Sequence, residues 1–316
     1  MNRTILSTLR SASITMSLLV VLFGCSGNGQ SGNGNDGNFL GNIVNSTLGA
    51  AGVDSRTTQA VNAGVALGTK AWELDQLTPE NEYYIGRAVA ANLIGRYGVW
   101  SNPDAARYVS LVGYTCAASS DMPETFAGYR FIILDSDEIN AFGAPGGYVL
   151  VTRGILKECK DEDALAAVLS HEIGHVQNRD GLNAIKKSEM WKTGLQEGTK
   201  LAAQGDIAAA TGLFDKLIDG FVEEVINKGY SRDAERKADA SGVTIMTAAG
   251  YDAHGMLDML EQMKMNWTPG SAMGKTHPSP DQRLAKITPL VTAPRRSVPP
   301  AQQTRFNTAL GQLESN

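Results

Sequence analysis

The sequence predicts an α+β fold that is mainly helical, with one small sheet. Three observations carry this reading. From Pro79 onward, apolar residues recur at helical spacing over most of the chain. Only two short runs, 129–134 and 148–152, have the composition of strands. The Gly-rich segment between them, 140–147, suits an extended edge piece ending in a turn.

Taken in order, the first element is a targeting segment. Arg3 and Arg10 precede residues 14–23, an almost wholly apolar stretch too short to cross a bilayer as a stable helix but suited to a signal peptide. It ends in Leu22-Phe23-Gly24-Cys25, which resembles a bacterial lipobox. Residues 1–24 are therefore expected to be removed and Cys25 to carry lipid, with a plain signal peptide or an uncleaved anchor as the alternatives. Each of these sends the chain out of the cytoplasm. The Gly, Asn and Ser residues that follow cannot bury apolar surface, so 25–40 reads as the lipidated cysteine and a flexible tether. Ser26 after the cysteine, by resemblance to Gram-negative lipoproteins, points to the periplasmic face of the outer membrane.

A single domain is expected over 41–290, beginning with a weakly patterned lead-in to residue 78. Thr78-Pro79-Glu80 starts a helix in which Tyr84, Ile85, Ala88, Val89, Leu93 and Ile94 share a face. A second helix is predicted over 104–116. The two strands follow, and then a strong helix over 161–176 behind an acidic start. Residues 181–229 read as long, polar and helical. Further helices are predicted over 231–248 and 253–263. Pro278, Pro280, Pro289, Pro294, Pro299 and Pro300 then suggest a loop and an extended tail over 291–316.

Bulk properties exclude some functions. The formal net charge is −5, and loss of Arg3 and Arg10 takes it to −7, so there is no basic footprint for nucleic acid. With Cys25 lipidated, Cys116 and Cys159 remain as an even pair in an oxidising compartment, a candidate disulfide. Two separate buried thiols are the alternative.

The sharpest chemical signal is His171-Glu172-Ile173-Gly174-His175. Histidines four apart lie on one helix face, where both imidazoles reach one Zn2+ ion and Glu172 stands beside it as general base. The neighbours Leu165, Val168, Leu169, Ile173 and Val176 place this helix in a core, where unpaired histidines are costly. Two ligands leave the site incomplete. Downstream, Glu235 and Asp239 are again four apart on one predicted helix face.

Together these residues resemble the CAAX-prenyl-protease-like zinc metallopeptidases, peptidase family forty-eight of the metallo class, in their periplasmic lipoprotein branch. The resemblance runs from about Leu77 to Leu284 and implies a gluzincin-type zinc metalloprotease with one zinc per chain. Residue by residue, it makes Glu235 the third metal ligand and Asp239 the carboxylate that orients a ligand histidine. Asn140, Ala141 and Phe142, with the Pro145-Gly146-Gly147 turn, resemble the family's active-site edge strand, where a substrate adds as a strand. Thr276-His277-Pro278 and Arg283 resemble its His-Pro loop. There His277 is either a fourth ligand that holds the enzyme inactive or a donor to the transition state, with an ordinary surface histidine as the alternative. Arg283 would order the loop or stabilise charge. Asp180 stands where many relatives carry a further histidine, and no role is assigned to it. His254 has no motif partner and reads as surface.

The expected function is thus an endopeptidase of the bacterial envelope acting on extended or misfolded polypeptides. The rival is a zinc-bearing assembly or chaperone-like factor with incidental proteolysis, for which envelope assembly machinery would be the partner. A metal store is disfavoured because one three-ligand site holds little.

Overall fold

The described residues, 77–314 of a computed structural model, open with a proline-led helix, α1 (Pro79–Tyr97), begun where the Thr78 hydroxyl accepts from the Asn81 amide at 3.2 Å. The expected signal peptide, Cys25, the tether and the lead-in up to residue 76 lie outside the described residues. Helix α2 (Pro103–Ala118) has Pro103 at its first turn, and the side chain of Asn102 accepts from Ala105 N.

Three strands follow: β1 (Arg130–Leu134), β2 (Ala141–Ala144) and β3 (Tyr148–Thr152). Their order in the sheet is β1-β3-β2, with β1 parallel to β3 and β2 antiparallel to it. Strand β2 pairs with β3 through Ala141 opposite Val151 and Ala144 opposite Tyr148, so it is an edge strand of the sheet. Thr152 ends β3 and caps α3 (Arg153–Glu158) through Ile155 N.

Helix α4 (Glu162–Gln177) is capped by Asp161, whose side chain accepts from Ala164 N at 2.8 Å. Glu162 and Asp163 in its first turn favour the positive end of the helix dipole. Every residue from Glu162 to Val176 is buried.

The predicted long helical region over 181–229 is three helices. They are α5 (Asp180–Lys187), α6 (Glu189–Ala203) and α7 (Ile207–Lys228). The breaks have local causes: Ser188 caps α6 through Trp191 N, and Asp206 accepts from Ala209 N at the start of α7. Then come α8 (Arg232–Ala248), α9 (His254–Asn266), α10 (Ala272–Thr276) and α11 (Pro280–Ile287). None of the described helices is long and apolar enough to cross a membrane.

The tail departs from its sequence reading. Residues 291–299 lack regular structure, but Pro300–Leu310 form α12, followed by a 3-10 turn at Gly311–Glu314. Proline at the first helical position starts a helix rather than preventing one. Phe306, Leu310 and Leu313 are buried in the core. Arg305 donates to the Glu162 carboxylate, Nε to Oε2 at 2.5 Å, tying α12 to the start of α4.

The candidate disulfide is also corrected. Cys116 and Cys159 are free, buried thiols. Each is housed separately: Cys116 lies against Ser170, and Cys159 Sγ donates to Ile155 O at 3.5 Å. Burial pushes both thiols up, Cys116 to about 12.

The chain divides into two compact units. In the first, which includes Lys186–Asp219, the fully buried Trp191 meets Phe214 edge-on at 5.9 Å, and Gly194 packs on Leu217. The second, Ile85–Ile185 with Gly220–Asn316, holds the sheet, α4, α8 and α9 around Val149, Val151, Leu165, Leu169, Ile173 and Met256. All of the candidate site belongs to this second unit.

Candidate metal centre

Helix α4 sets the first two donors. His171 and His175 are one turn apart on a single face, with ring centroids 4.7 Å apart and planes at 87°. Small residues let neighbouring backbones close on this helix. A Cβ on Gly174 would lie 2.9 Å from Ala238 O, and one on Gly143 would lie 2.5 Å from Glu172 O. The first contact draws α8 against α4, and the second draws β2 against its other side.

Ser231 caps α8, its side chain accepting from Ala234 N. One turn on, Glu235 reaches the histidines: Oε1 lies 3.3 Å from His175 Nε2, and Oε2 lies 3.7 Å from His171 Nε2. His277, the residue after α10, brings its Nε2 to 3.6 Å from Glu235 Oε2. One ligand atom from each of His171, His175, Glu235 and His277 lies within 4.8 Å of all the others.

The far side of each α4 imidazole is fixed by a carboxylate. His171 Nδ1 lies 2.9 Å from Asp239 Oδ1, and His175 Nδ1 lies 2.8 Å from Asp180 Oδ2. These bonds place a proton on each Nδ1 and leave each Nε2 as a lone-pair donor. Both Nε2 atoms and Glu235 Oε2 are buried without a hydrogen-bond partner. Three orphaned buried atoms converging on one point are costly unless a cation holds them. Two imidazole nitrogens and a carboxylate oxygen are the donor set of a catalytic zinc site.

Arg283 extends the network from α11. Its Nη2 donates to Asp239 Oδ1 at 2.6 Å and lies 3.3 Å from His171 Nδ1. Burial opposes the charge on Asp239, but Arg283 and His171 outweigh it and hold the carboxyl well below its ordinary range. Glu235 is likewise held down, to about 2, since the imidazoles of His277, His175 and His171 outweigh the cost of burial. Burial disfavours protonating His175, yet with no cation between them Glu235 and Asp180 raise it to about 10, so a metal taking Nε2 displaces a proton. His277 is lowered to about 3 by burial, with Glu235 opposing and Arg283 reinforcing. Glu172 is pushed up by burial, against the pull of both α4 imidazoles. It lines a small space together with His171, His277 and Met273. Alongside, a cavity of about 390 Å³ is lined by Glu235, Asp239, Pro278, Arg283 and the basic residues Arg232 and Arg236.

The structure thus gathers His171, Glu172, His175, Glu235, Asp239, His277 and Arg283 in one place. His277 is no surface residue, since its side chain is buried. Asn140, Ala141 and Phe142 are buried beside α4, with β2 running from Ala141 rather than from Asn140. His254, read as surface, is partly buried with Nδ1 2.8 Å from Asp252 Oδ1.

Two residues escaped the sequence reading. Asp180 is carried back under His175 by Arg179, whose φ of 54° reverses the chain after α4. An acid just past the helix end was the one available signal. Tyr230 lies with its ring 4.7 Å from that of His175, and its hydroxyl donates to Gly143 O at 3.0 Å. No motif spacing announces it.

Comparison with known proteins agrees with this geometry. The profile of peptidase family M48 matches residues 103–291. A putative beta-barrel assembly-enhancing protease of Vibrio cholerae is 27% identical over 214 residues, covering 66% of this chain and 43% of that protein. The beta-barrel assembly-enhancing protease of Escherichia coli K12 is 27% identical over 217 residues, covering 65% of this chain and 42% of its own. The mitochondrial metalloendopeptidase OMA1 of Schizosaccharomyces pombe is 33% identical over 183 residues, covering 57% of this chain and 51% of its own. The matched region thus spans less than half the length of these bacterial relatives. Since the matched profile takes in α2 through α11 and every residue converging on the site, the chain belongs to peptidase family M48.

Proposed function

We propose that the chain is a zinc-dependent endopeptidase of the bacterial envelope that cleaves extended or misfolded polypeptides. The observation that carries this is the convergence of the unpartnered Nε2 atoms of His171 and His175 with Glu235 Oε2, while Asp239 and Asp180 hold the opposite ring nitrogens. His171, His175 and Glu235 would hold the metal. Bound zinc supplies a Lewis acid and makes water nucleophilic at neutral pH.

The chain's own residues do the rest. Glu172, with its pKa raised by burial, accepts a proton from the attacking water and passes it to the departing amine. Asp239 and Asp180 keep the two imidazoles in one tautomer, and Arg283 keeps Asp239 ionised. Edge strand β2 offers backbone groups to which an extended polypeptide pairs with little regard for sequence. The bacterial relatives are named as proteases that enhance beta-barrel assembly, which supports a setting where such proteins are assembled. Within that setting, a lipid on Cys25 would tether the domain to the periplasmic face of the outer membrane through residues 26–40.

The test is zymography on casein with zinc-loaded protein. Wild type should cleave, a chelator should abolish cleavage, and Glu172→Gln should keep its zinc while losing about 10² to 10⁴ in rate. Equal cleavage by Glu172→Gln would favour the rival, an assembly factor whose proteolysis is incidental. Fatty-acid analogue labelling of cells should tag wild type and not Cys25→Ser.

A second reading concerns His277, whose ligand atom joins the other three within 4.8 Å. As a fourth ligand it would hold the enzyme at rest, and His277→Ala would then raise basal proteolysis. As a donor to the transition state, the same substitution would lower it by roughly 10²-fold.

A further inference from the structure

The hydroxyl of Tyr230 donates to the carbonyl oxygen of Gly143 at 3.0 Å, in the middle of edge strand β2. Which way that carbonyl faces follows from the strand register. In an antiparallel pair, opposed residues alternate between exchanging both backbone bonds and exchanging none. Thr152 N donates to Asn140 O at 3.1 Å, so Phe142 with Leu150 and Ala144 with Tyr148 are the bonded pairs of β2 and β3. Ala141 and Gly143 therefore turn their backbone groups away from β3, to the side that no other described strand pairs, although both residues are buried. The outward amide of Ala141 is met by its neighbour's side chain, Asn140 Oδ1 at 3.0 Å, and the outward carbonyl of Gly143 is met by the phenol.

We propose that Tyr230 holds the backbone acceptor that an entering substrate strand uses, so that strand addition must displace the phenol from Gly143. This rests on the reading that β2 receives an extended polypeptide. That carbonyl has two lone pairs, but it faces away from β3, and both the phenol and a strand N–H must approach it from that one side, so they compete for the same place. The phenol is not a casual surface contact. Its ring packs on His175, and a Cβ on Gly181 would come within 3.1 Å of its oxygen and 3.0 Å of Pro145 Cγ, so the hydroxyl sits in a fitted slot. The backbone at its N-terminal side is closely packed, since a Cβ on Gly229 would lie 1.8 Å from Thr276 O, so displacement is a movement of the side chain. Gly229 has a φ of 63°, a conformation that favours glycine, and joins α7 to the start of α8. Tyr230 is thus a specificity-relevant residue: it sets a threshold that an extended chain with a free N–H passes and that a chain lacking this donor does not.

The experiment uses the full chain, zinc-loaded and carrying Glu172→Gln so that bound peptide survives. A fluorescein-labelled casein peptide that the wild-type enzyme cleaves is titrated by anisotropy, together with a series of the same peptide N-methylated at one amide each. With Tyr230 present, one N-methyl position should weaken binding. Tyr230→Phe keeps the ring on His175 and removes only the competing donor. It should tighten binding of the parent peptide by roughly two- to twelvefold, the span of one net hydrogen bond, and should not tighten the peptide N-methylated at the sensitive position. Equal or weaker binding in Tyr230→Phe overturns the proposal, as does tightening that ignores N-methylation. In enzyme that keeps Glu172, a fall in kcat for Tyr230→Phe with Kd unchanged in the Glu172→Gln background would also overturn the proposal and assign the phenol to the reacting carbonyl. If no N-methyl position matters, strand addition itself fails, and the competition with it. In protein with tyrosine at 230, 3-fluorotyrosine labelling gives an independent readout: the residue 230 signal should shift when the parent peptide binds, and an unmoved signal at saturation counts against displacement.

Discussion

Gly143 in β2 stands so near Glu172 in α4 that a Cβ on the glycine would lie 2.5 Å from the glutamate's carbonyl oxygen and 3.1 Å from His175 Cβ. The obstacle is backbone, which cannot swing aside as a side chain can. Gly143→Ala should therefore push the edge strand off the helix, costing about 1–3 kcal/mol of stability through overpacking. Activity should fall further, by about 10²-fold, because small misplacements at a reacting centre are amplified. Thermal melts and casein turnover check this, and an unchanged pair of values would mean that strand and helix are not in register.

The carboxylates behind the histidines give a graded prediction. Asp180→Ala and Asp239→Ala each remove the group that fixes an imidazole's tautomer, and each should weaken zinc binding by about 10- to 100-fold. His171→Ala, His175→Ala and Glu235→Ala should lose more, since each removes a donor. Competition with a chelating dye measures all five. An Asp180→Ala protein with wild-type affinity would show that the bond to His175 Nδ1 does not matter.

The Arg283–Asp239 pair predicts a pH dependence with a definite sign. Asp239 is depressed below its ordinary value of 3.8 in the folded protein. Its contribution is therefore fully present above that pH and fades as pH falls through and below it. Arg283→Met leaves a buried carboxylate without its cation and should cost about 3–5 kcal/mol near pH 7. The gap to wild type should narrow in acid, where Asp239 of the variant, no longer held down by the arginine, takes up a proton and needs no cation. Denaturant titrations of both proteins, metal-free, at a series of pH values test this, and a gap that widens in acid would reverse the assignment.

The cysteines allow a direct chemical check. Both thiols are free and buried, with pKa values pushed upward, so neither thiolate is available in the folded protein. Native protein should resist iodoacetamide. Denatured protein, without any reductant, should take one label at Cys116 and one at Cys159. A label that appears only after reduction would restore the disulfide.

Legibility followed how local the chemistry is. His171, Glu172 and His175, which the structure brings together, could be read because a group spread over one helical turn leaves its spacing in the chain. Glu235 and Asp239 repeat that spacing on a second helix, and family resemblance supplied their roles. Asp180 was passed over because it depends on one backbone dihedral at Arg179, a left-handed turn that no glycine advertises. Tyr230 was invisible for a different reason: its meaning lies in Gly143, 87 residues away. The tail misled because its prolines read as breakers, although Pro300 opens a helix whose Phe306 and Leu310 reach the core. The cysteine count suggested a bridge, and only packing shows the two thiols housed apart.

Burial of α4 over its whole run from Glu162 to Val176 has a consequence for how this chain can diverge. A helix surrounded on every side has no face on which substitutions can accumulate at low cost, because each change in volume is felt by a neighbour. Drift in substrate preference must then be written elsewhere, in exposed or half-exposed positions that border the site. Lys275 in α10 and Gln282 in α11 are such positions, both solvent-exposed and lining cavities next to it. Libraries built there should yield altered cleavage preferences at far higher frequency than libraries of equal size in α4, where most members should simply fail to fold.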